Sequence, residues 1–267
     1  MKILILGSNG FIGKSLVKYL SPRYQIVSAN RENINLLNHD LVSEFLEKEQ
    51  FDIIIGAAVS HTESNTLVDT RNNLGLFMPF YENSHRFGRF LNFGSGAEFD
   101  IEHNIDNFDE KSLFQYLPNN SYGFASNIKS RLCYSKSNFY TFRIFNCFGC
   151  GEKSTRIFPR FIQTESIFRV INDRYFDYFS IQDLCYMVDY FISNNIDYKD
   201  INLTYEKKYK ISEVLKMFKD YHNIKTEIEI ESISQNNYTG NCSRLNSMGL
   251  NLEGLLEGLK NYDLSST

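Results

Sequence analysis

At 267 residues, 42% of them hydrophobic, the chain is long enough for one large domain or for a core domain with a smaller appendage. Its net charge of −4 and isoelectric point near 5.8 come without any basic block, which argues against nucleic-acid binding. The longest apolar runs are too short for a signal peptide or a membrane span, and five irregularly spaced cysteines do not suggest a disulfide framework, so a cytoplasmic protein is expected.

KILIL at 2–6 reads as a buried strand. GSNGFIG follows, and then Leu16, Val17 and Leu20 recur at helical spacing. YQIVSAN at 24–30 reads as a second strand, and HDLVSEFLEKEQ at 39–50 as a helix with Leu41, Phe45 and Leu46 on one face. FDIIIGAAV at 51–59 is a third strand, apolar on both faces, as a parallel strand covered by helices should be. A long helix is expected over 66–88, a strand over 87–95, a helix over 121–136 and a strand over 139–146. This alternation predicts a doubly wound parallel α/β sheet, the Rossmann architecture. The pattern loosens after residue 150. A dinucleotide-binding domain over 1–150 and a smaller, partly interleaved substrate-binding domain over 151–267 are therefore expected. Cys147 and Cys150 form an isolated CxxC with no second pair nearby, so no metal site is expected.

Gly7, Gly10 and Gly13 form GxxGxxG between the first strand and the first helix. Glycines there let the backbone close the turn and approach a pyrophosphate seated on the positive end of the helix. Ser8, Asn9, Phe11 and Ile12 complete this loop as candidate cofactor contacts. The second strand ends at Asn30 and Arg31, where an NAD site would place a carboxylate for the ribose 2′-hydroxyl. Glu32 is the competing acidic candidate, and Asn35 and Leu36 would flank the adenine. NADP is favoured, with NAD as the alternative. Arg31 also reads simply as a surface charge on a strand-end loop.

Taken in order, these segments resemble the extended short-chain dehydrogenase/reductases of the epimerase/dehydratase type that act on nucleotide sugars. The resemblance covers nearly the whole chain. GSNGFIG matches the cofactor loop. NREN-INLL followed by FDIIIGAAVSH is similar to the reductases that make GDP-fucose and dTDP-rhamnose. RNNLG at 71–75, FGSGAEF at 93–99, RIFNCFGCGE at 143–152 and YFDYFSIQDL at 175–184 resemble later family segments. The resemblance implies that Ala57, Ala58, Val59 and Asn73 border the cofactor, that Tyr122 is the proton donor and acceptor, and that Ser95 is its hydroxyl partner. It also implies a homodimer paired through the helices near 66–88 and 121–136.

A tyrosine moves a proton near neutral pH only when positive charge pulls its pKa well below about 10. The family places a lysine four residues after the tyrosine; this chain has Ser126. Lys129 lies at i+7, one turn further on, and its side chain points back toward the helix N-terminus. Either Lys129 stands in for the missing lysine, or the enzyme relies on the nicotinamide charge, or the chain binds ligands without turning them over. As a plain sequence feature Lys129 also reads as a solvated helix charge.

Gly96 and Ala97 occupy positions where related dehydratases and epimerases carry proton-transfer groups, which argues against dehydration and 3,5-epimerisation. Glu98 is expected to point away from that face by strand alternation. Asn146 matches a family asparagine near the nucleotide diphosphate, and Arg156 and Arg174 are candidate phosphate partners or intramolecular ion pairs. The expected activity is NADPH-dependent reduction of a 4-keto-6-deoxy sugar nucleotide for surface polysaccharide synthesis. An NAD-dependent 4-epimerase and a catalytically silent binding protein are the alternatives.

Overall fold

The structure, a computed structural model, describes residues 1–60 and 66–264. His61, the last residue of FDIIIGAAVSH, lies outside the described residues. The first half alternates as the sequence predicts: β1 (Lys2–Leu6), α1 (Phe11–Leu20), β2 (Gln25–Ala29), α2 (His39–Lys48), β3 (Phe51–Gly56), α3 (Leu67–Gly75), α4 (Met78–Glu82), β4 (Phe87–Ser95) and α5 (Ser121–Tyr134). Strands Phe139–Ile144 and Asp200–Leu203 complete a six-stranded parallel sheet. From one edge its order is Asp200–Leu203, Phe139–Ile144, β4, β3, β1, β2. On one face Ile54 of β3 sits between Leu4 of β1 and Phe90 of β4, and on the other Ile53 and Ile55 of β3 and Ile3 and Ile5 of β1 are buried too, so the central strands are apolar on both sides.

Two helix expectations are corrected. On α2 the buried face is Val42 and Leu46, four residues apart, while Leu41 is exposed. The long helix expected over 66–88 is broken into α3, α4 and a 3-10 turn at Ser84–Arg86. Pro79 is the reason. It has no N–H for the Gly75 carbonyl, and its ring would clash with that carbonyl, so α3 ends and a new helix starts with proline in its first turn. The break turns Phe77 into the core, where it meets Phe90 and Phe139 edge-on at 5.7 and 5.8 Å.

The chain divides into two compact units. The first comprises Met1–Ile101, Lys111–Arg143 and Val188–Ile201. Its core gathers Leu4, Leu6, Val42, Ile54, Phe80, Phe90 and Phe139. The second comprises Glu102–Glu110, Ile144–Met187 and Asn202–Thr267. It contains three short parallel strand pairs: Ile167–Val170 with Glu227–Ile230, Ile105–Phe108 with Tyr238–Gly240, and Cys147–Phe148 with Phe179–Ser180. Its own core is built on Phe158, Phe161, Val214, Leu215, Phe218 and Leu259.

Phe90 is 1% exposed and stacks on Phe139 at 4.8 Å, so it fills the centre of the first core. Phe90→Ala leaves a cavity there and should lower the free energy of unfolding by about 3–5 kcal/mol, read from urea denaturation curves.

Candidate active site

The glycine loop is fitted to close backbone approach. Gly7 has φ +73°, and a Cβ there would lie 2.7 Å from the Cα of Ala58. A Cβ at Gly13 would lie 2.2 Å from the Gly7 carbonyl oxygen. The amides of Gly7 and Ser8 both donate to the Ala29 carbonyl, at 2.8 and 3.2 Å, which ties the loop to the end of β2. No side chain caps α1 and no acidic residue occupies its first turn. Its N-terminus therefore presents amide donors and positive potential to an anion. These are the features a dinucleotide pyrophosphate needs.

At the end of β2 the Asn30 side chain donates to Asn9 Oδ1 at 3.4 Å and accepts from the Glu32 amide at 2.9 Å. Position 30 thus offers an amide where an NAD site would offer a carboxylate. Arg31 and Glu32 are both exposed, and Arg31 has no hydrogen-bond or ion-pair partner among the described residues. Asn35 accepts from the Leu37 amide at 3.1 Å, and Leu36, 7% exposed, belongs to the first core. Ala57 donates its amide to the Leu6 carbonyl at 3.1 Å, Ala58 packs on Gly7, and Val59 is exposed. Buried Asn73 clasps Ser60 from both sides, accepting from its amide at 2.9 Å and donating to its carbonyl at 2.6 Å.

Ser95 ends β4, and the chain then turns through a 3-10 segment, Gly96–Phe99, instead of continuing as a strand. The expectation for Glu98 is therefore corrected: the turn folds its side chain inward, and it is fully buried. Its Oε1 accepts from the Ser95 amide and from Ser130 Oγ, both at 2.8 Å. Its Oε2 accepts from Arg143 Nε at 2.8 Å. Arg143 is also fully buried; it donates to Asp200 at 3.2 Å and lies over the Phe99 ring. Tyr134 donates to the other Asp200 oxygen at 2.6 Å. Ser95 Oγ accepts from the Ala97 amide at 3.2 Å, which leaves its proton available to donate outward. The sequence reading missed this network. One signal of it was Gly94, where a Cβ would lie 2.5 Å from Glu98 Oε1.

α5 is capped by Asn120, whose Oδ1 accepts from the Gly123 amide at 2.7 Å. Gly123 is needed because a Cβ there would lie 2.5 Å from the Ala97 carbonyl oxygen. Tyr122 is half-buried, while Ser126 and Lys129 are 3% and 7% exposed. Lys129 lines a small cavity with Leu6, Gly56, Ala58, Asn73 and Asn92. It has no hydrogen-bond or ion-pair partner among the described residues. Desolvation pushes its pKa below the ordinary lysine value, opposed by the negative charge of Glu98. The reading of Lys129 as a solvated helix charge is thereby corrected. One turn on, burial pushes the Cys133 thiol up to about 12, which keeps it protonated.

The cofactor and catalytic candidates thus fall in the first unit, and the three substrate candidates fall in the second. Arg156 donates to Asn146 Oδ1 and to the Cys147 carbonyl, and lies 3.6 Å from Glu152. Glu152 in turn accepts from Tyr262 at 3.0 Å. Arg156 and Asn146 are therefore together. Arg174 is elsewhere in that unit, over the Phe176 ring at 5.3 Å and donating to the Asn236 carbonyl at 3.3 Å. No carboxylate pairs with it among the described residues, and burial lowers its pKa from the usual arginine value.

The family model for the NAD dependent epimerase/dehydratase family matches residues 3–203. The chain belongs to that family. It is 25% identical over 238 residues to the GDP-6-deoxy-D-talose 4-dehydrogenase of Aggregatibacter actinomycetemcomitans, covering 81% of this chain and 79% of that protein. Its fold is similar to the crystal structure of a GDP-D-glycero-L-gluco-heptose synthase from Campylobacter jejuni in the presence of NADPH. There the TM-score is 0.83 at 19% identity, with 97% and 96% of the two chains covered. It is also similar to a GDP-mannoheptose C4 reductase from Campylobacter jejuni with NADP bound, with TM-score 0.81 and 21% identity over 97% and 96% of the chains.

Two expectations follow. Gly13→Ala must displace the Gly7 carbonyl, so it should weaken binding of NADPH and NADH by about ten-fold or more in a fluorescence titration. The second concerns pH. A lysine whose folded pKa is lowered binds fewer protons in the native than in the unfolded state. Its contribution to stability therefore rises with pH, from the lowered folded value up to the ordinary 10.5. Lys129→Met should remove that alkaline gain, which denaturation across pH would read as a flatter profile.

Proposed function

We propose that this family member is an NADPH-dependent reductase of a 4-keto, 6-deoxy-type sugar nucleotide. The observation that carries the reading is the placement of Lys129. Buried Lys129, with no ion-pair partner among the described residues, lines a cavity with Ala58 and Asn73 and stands on the helix that bears Tyr122. Glycines 7 and 13 leave room for a pyrophosphate backbone cradle, and Arg31 offers an unpaired cation where a 2′-phosphate would sit. NADPH, when bound, supplies the hydride. Tyr122 then delivers the proton to the sugar oxygen, and Ser95 donates a hydrogen bond to that oxygen. Lys129 lowers the cost of the tyrosinate left behind. Gly96 and Ala97 bring no further proton-transfer group, which favours hydride transfer without elimination or 3,5-epimerisation.

The relatives support this reading by their names: a 4-dehydrogenase and a C4 reductase acting on GDP sugars, the latter with NADP bound. In the second unit, Asn146 with Arg156, and separately Arg174, are the proposed phosphate contacts. The proposal includes a cytoplasmic homodimer and a product used in surface polysaccharide synthesis. Among the described residues no helix is long and apolar enough to cross a membrane. The second reading, a catalytically silent binder, draws on Ser126, which leaves the lysine position of the resemblance empty.

The test is NADPH consumption with a panel of 4-keto-6-deoxy sugar nucleotides. Oxidation with one of them is expected, and Tyr122→Phe should reduce it by about 10²-fold or more. Arg31→Ala should raise the KM for NADPH by about ten-fold while leaving that for NADH nearly unchanged. Silence across the panel with NADPH binding intact would favour the silent binder. Tightly retained NAD in the purified protein would instead point to a 4-epimerase.

A further inference from the structure

Glu98 stands outside every role assigned so far, yet it bonds the Ser95 amide and the residue next to Lys129. Its carboxylate is fully buried and takes three hydrogen bonds: from the Ser95 amide, from Ser130 Oγ and from Arg143 Nε, each at 2.8 Å. Ser130 follows Lys129 directly, and Asn92, which lines the Lys129 cavity, donates to Ser130 Oγ at 3.4 Å. Glu98 thus links the backbone at the end of β4 to the α5 residue that follows Lys129. Arg143 is shared with Asp200, so the three groups together carry one excess negative charge. Lys129 is a buried lysine in that neighbourhood with no ion-pair partner among the described residues.

We propose that Glu98 is a positioning residue: its carboxylate fixes Ser95 at the end of β4 and supplies the negative charge that holds the Lys129 ammonium in the cofactor-side cavity. The inference rests on the reading that Tyr122, Ser95 and Lys129 serve hydride transfer. A hydrophobic side chain at position 98 would leave Lys129 buried with neither an ion pair nor a compensating field. The carboxylate removes that cost at a distance and leaves the ammonium unblocked for a ligand. Among the described residues, the charges that act on Lys129 are Glu98 from the turn after β4 and Cys133 from its own helix, which also carries Tyr122. The remaining polar neighbours, Asn73 and Asn92, are neutral.

The experiment follows Lys129 itself. Lysine labelled at Cε gives an NMR signal whose shift reports protonation, and Lys129→Met assigns it. In Glu98→Gln the Lys129 titration should move to lower pH, and turnover should fall by about ten-fold or more as Ser95 and the cation lose their support. Glu98→Asp keeps the charge but shortens the reach. It should leave the titration near its wild-type position while turnover still falls, because the Ser95 amide loses its partner. An unmoved titration in Glu98→Gln would overturn the electrostatic role, and wild-type turnover in Glu98→Asp would overturn the positioning of Ser95. Should Glu98→Gln fail to fold, Glu98→Asp still decides. A titration displaced there despite the retained charge, or full turnover, contradicts the proposal. The titration needs no substrate, so it separates failure of this inference from failure of the proposed activity.

Discussion

Burying the Glu98 carboxylate is the constraint from which the rest of the site follows. An isolated carboxylate in a protein interior costs many kcal/mol unless it is paired and hydrogen-bonded, so the fold must bring partners to it. Arg143 comes from the strand Phe139–Ile144, Ser130 from α5, and the Ser95 amide from the end of β4. Asp200, at the start of the edge strand, shares the guanidinium and is held by Tyr134. Three neighbouring strands and one helix are thereby locked together beside the proposed reacting groups. Breaking such a pair by removing one partner typically costs about 3–5 kcal/mol, so the cluster rigidifies as well as charges the site.

The same constraint bears on the absent lysine at position 126. A lysine three residues further along starts about 4.5 Å lower on the helix. Its side chain leans back toward the N-terminus and recovers part of that distance. Its burial also matters, since a charge shielded from water acts on its neighbours through a lower effective dielectric than one at the surface. A helix position that would otherwise be a solvated charge can then act on Tyr122, provided something nearby keeps the ammonium protonated. In the proposal above that group is Glu98, whose charge opposes the lowering of the Lys129 pKa.

The parallel sheet was legible because strands buried on both faces read as continuous apolar runs and the glycines mark the turn after the first of them. Helix spacing also located α1 and α2. The break between α3 and α4 was written in Pro79, within the apolar run LGLFMPFY at 74–81. The short strand pairs of the second unit carry two to four residues each, too few for any periodicity to rise above its surroundings. Within the candidate site, the glycine loop, Ser95 and Tyr122 were proposed from local motifs of the sequence. Glu98 could not be. Alternation predicts side-chain direction only while the strand continues, and the chain leaves the strand at Ser95. Its partner Arg143 lies 45 residues further along the chain, and Asp200, which shares that guanidinium, lies 102 further; only the folded sheet brings them together.

The most direct measurement moves the lysine. NADPH binding and turnover would be compared in wild type, in Lys129→Met, and in Lys129→Met combined with Ser126→Lys. The account predicts that Lys129→Met loses turnover by about 10²-fold or more, and that a lysine restored at position 126 recovers much of it. Full activity in Lys129→Met would contradict it, because the cation on α5 would then have no part in the chemistry.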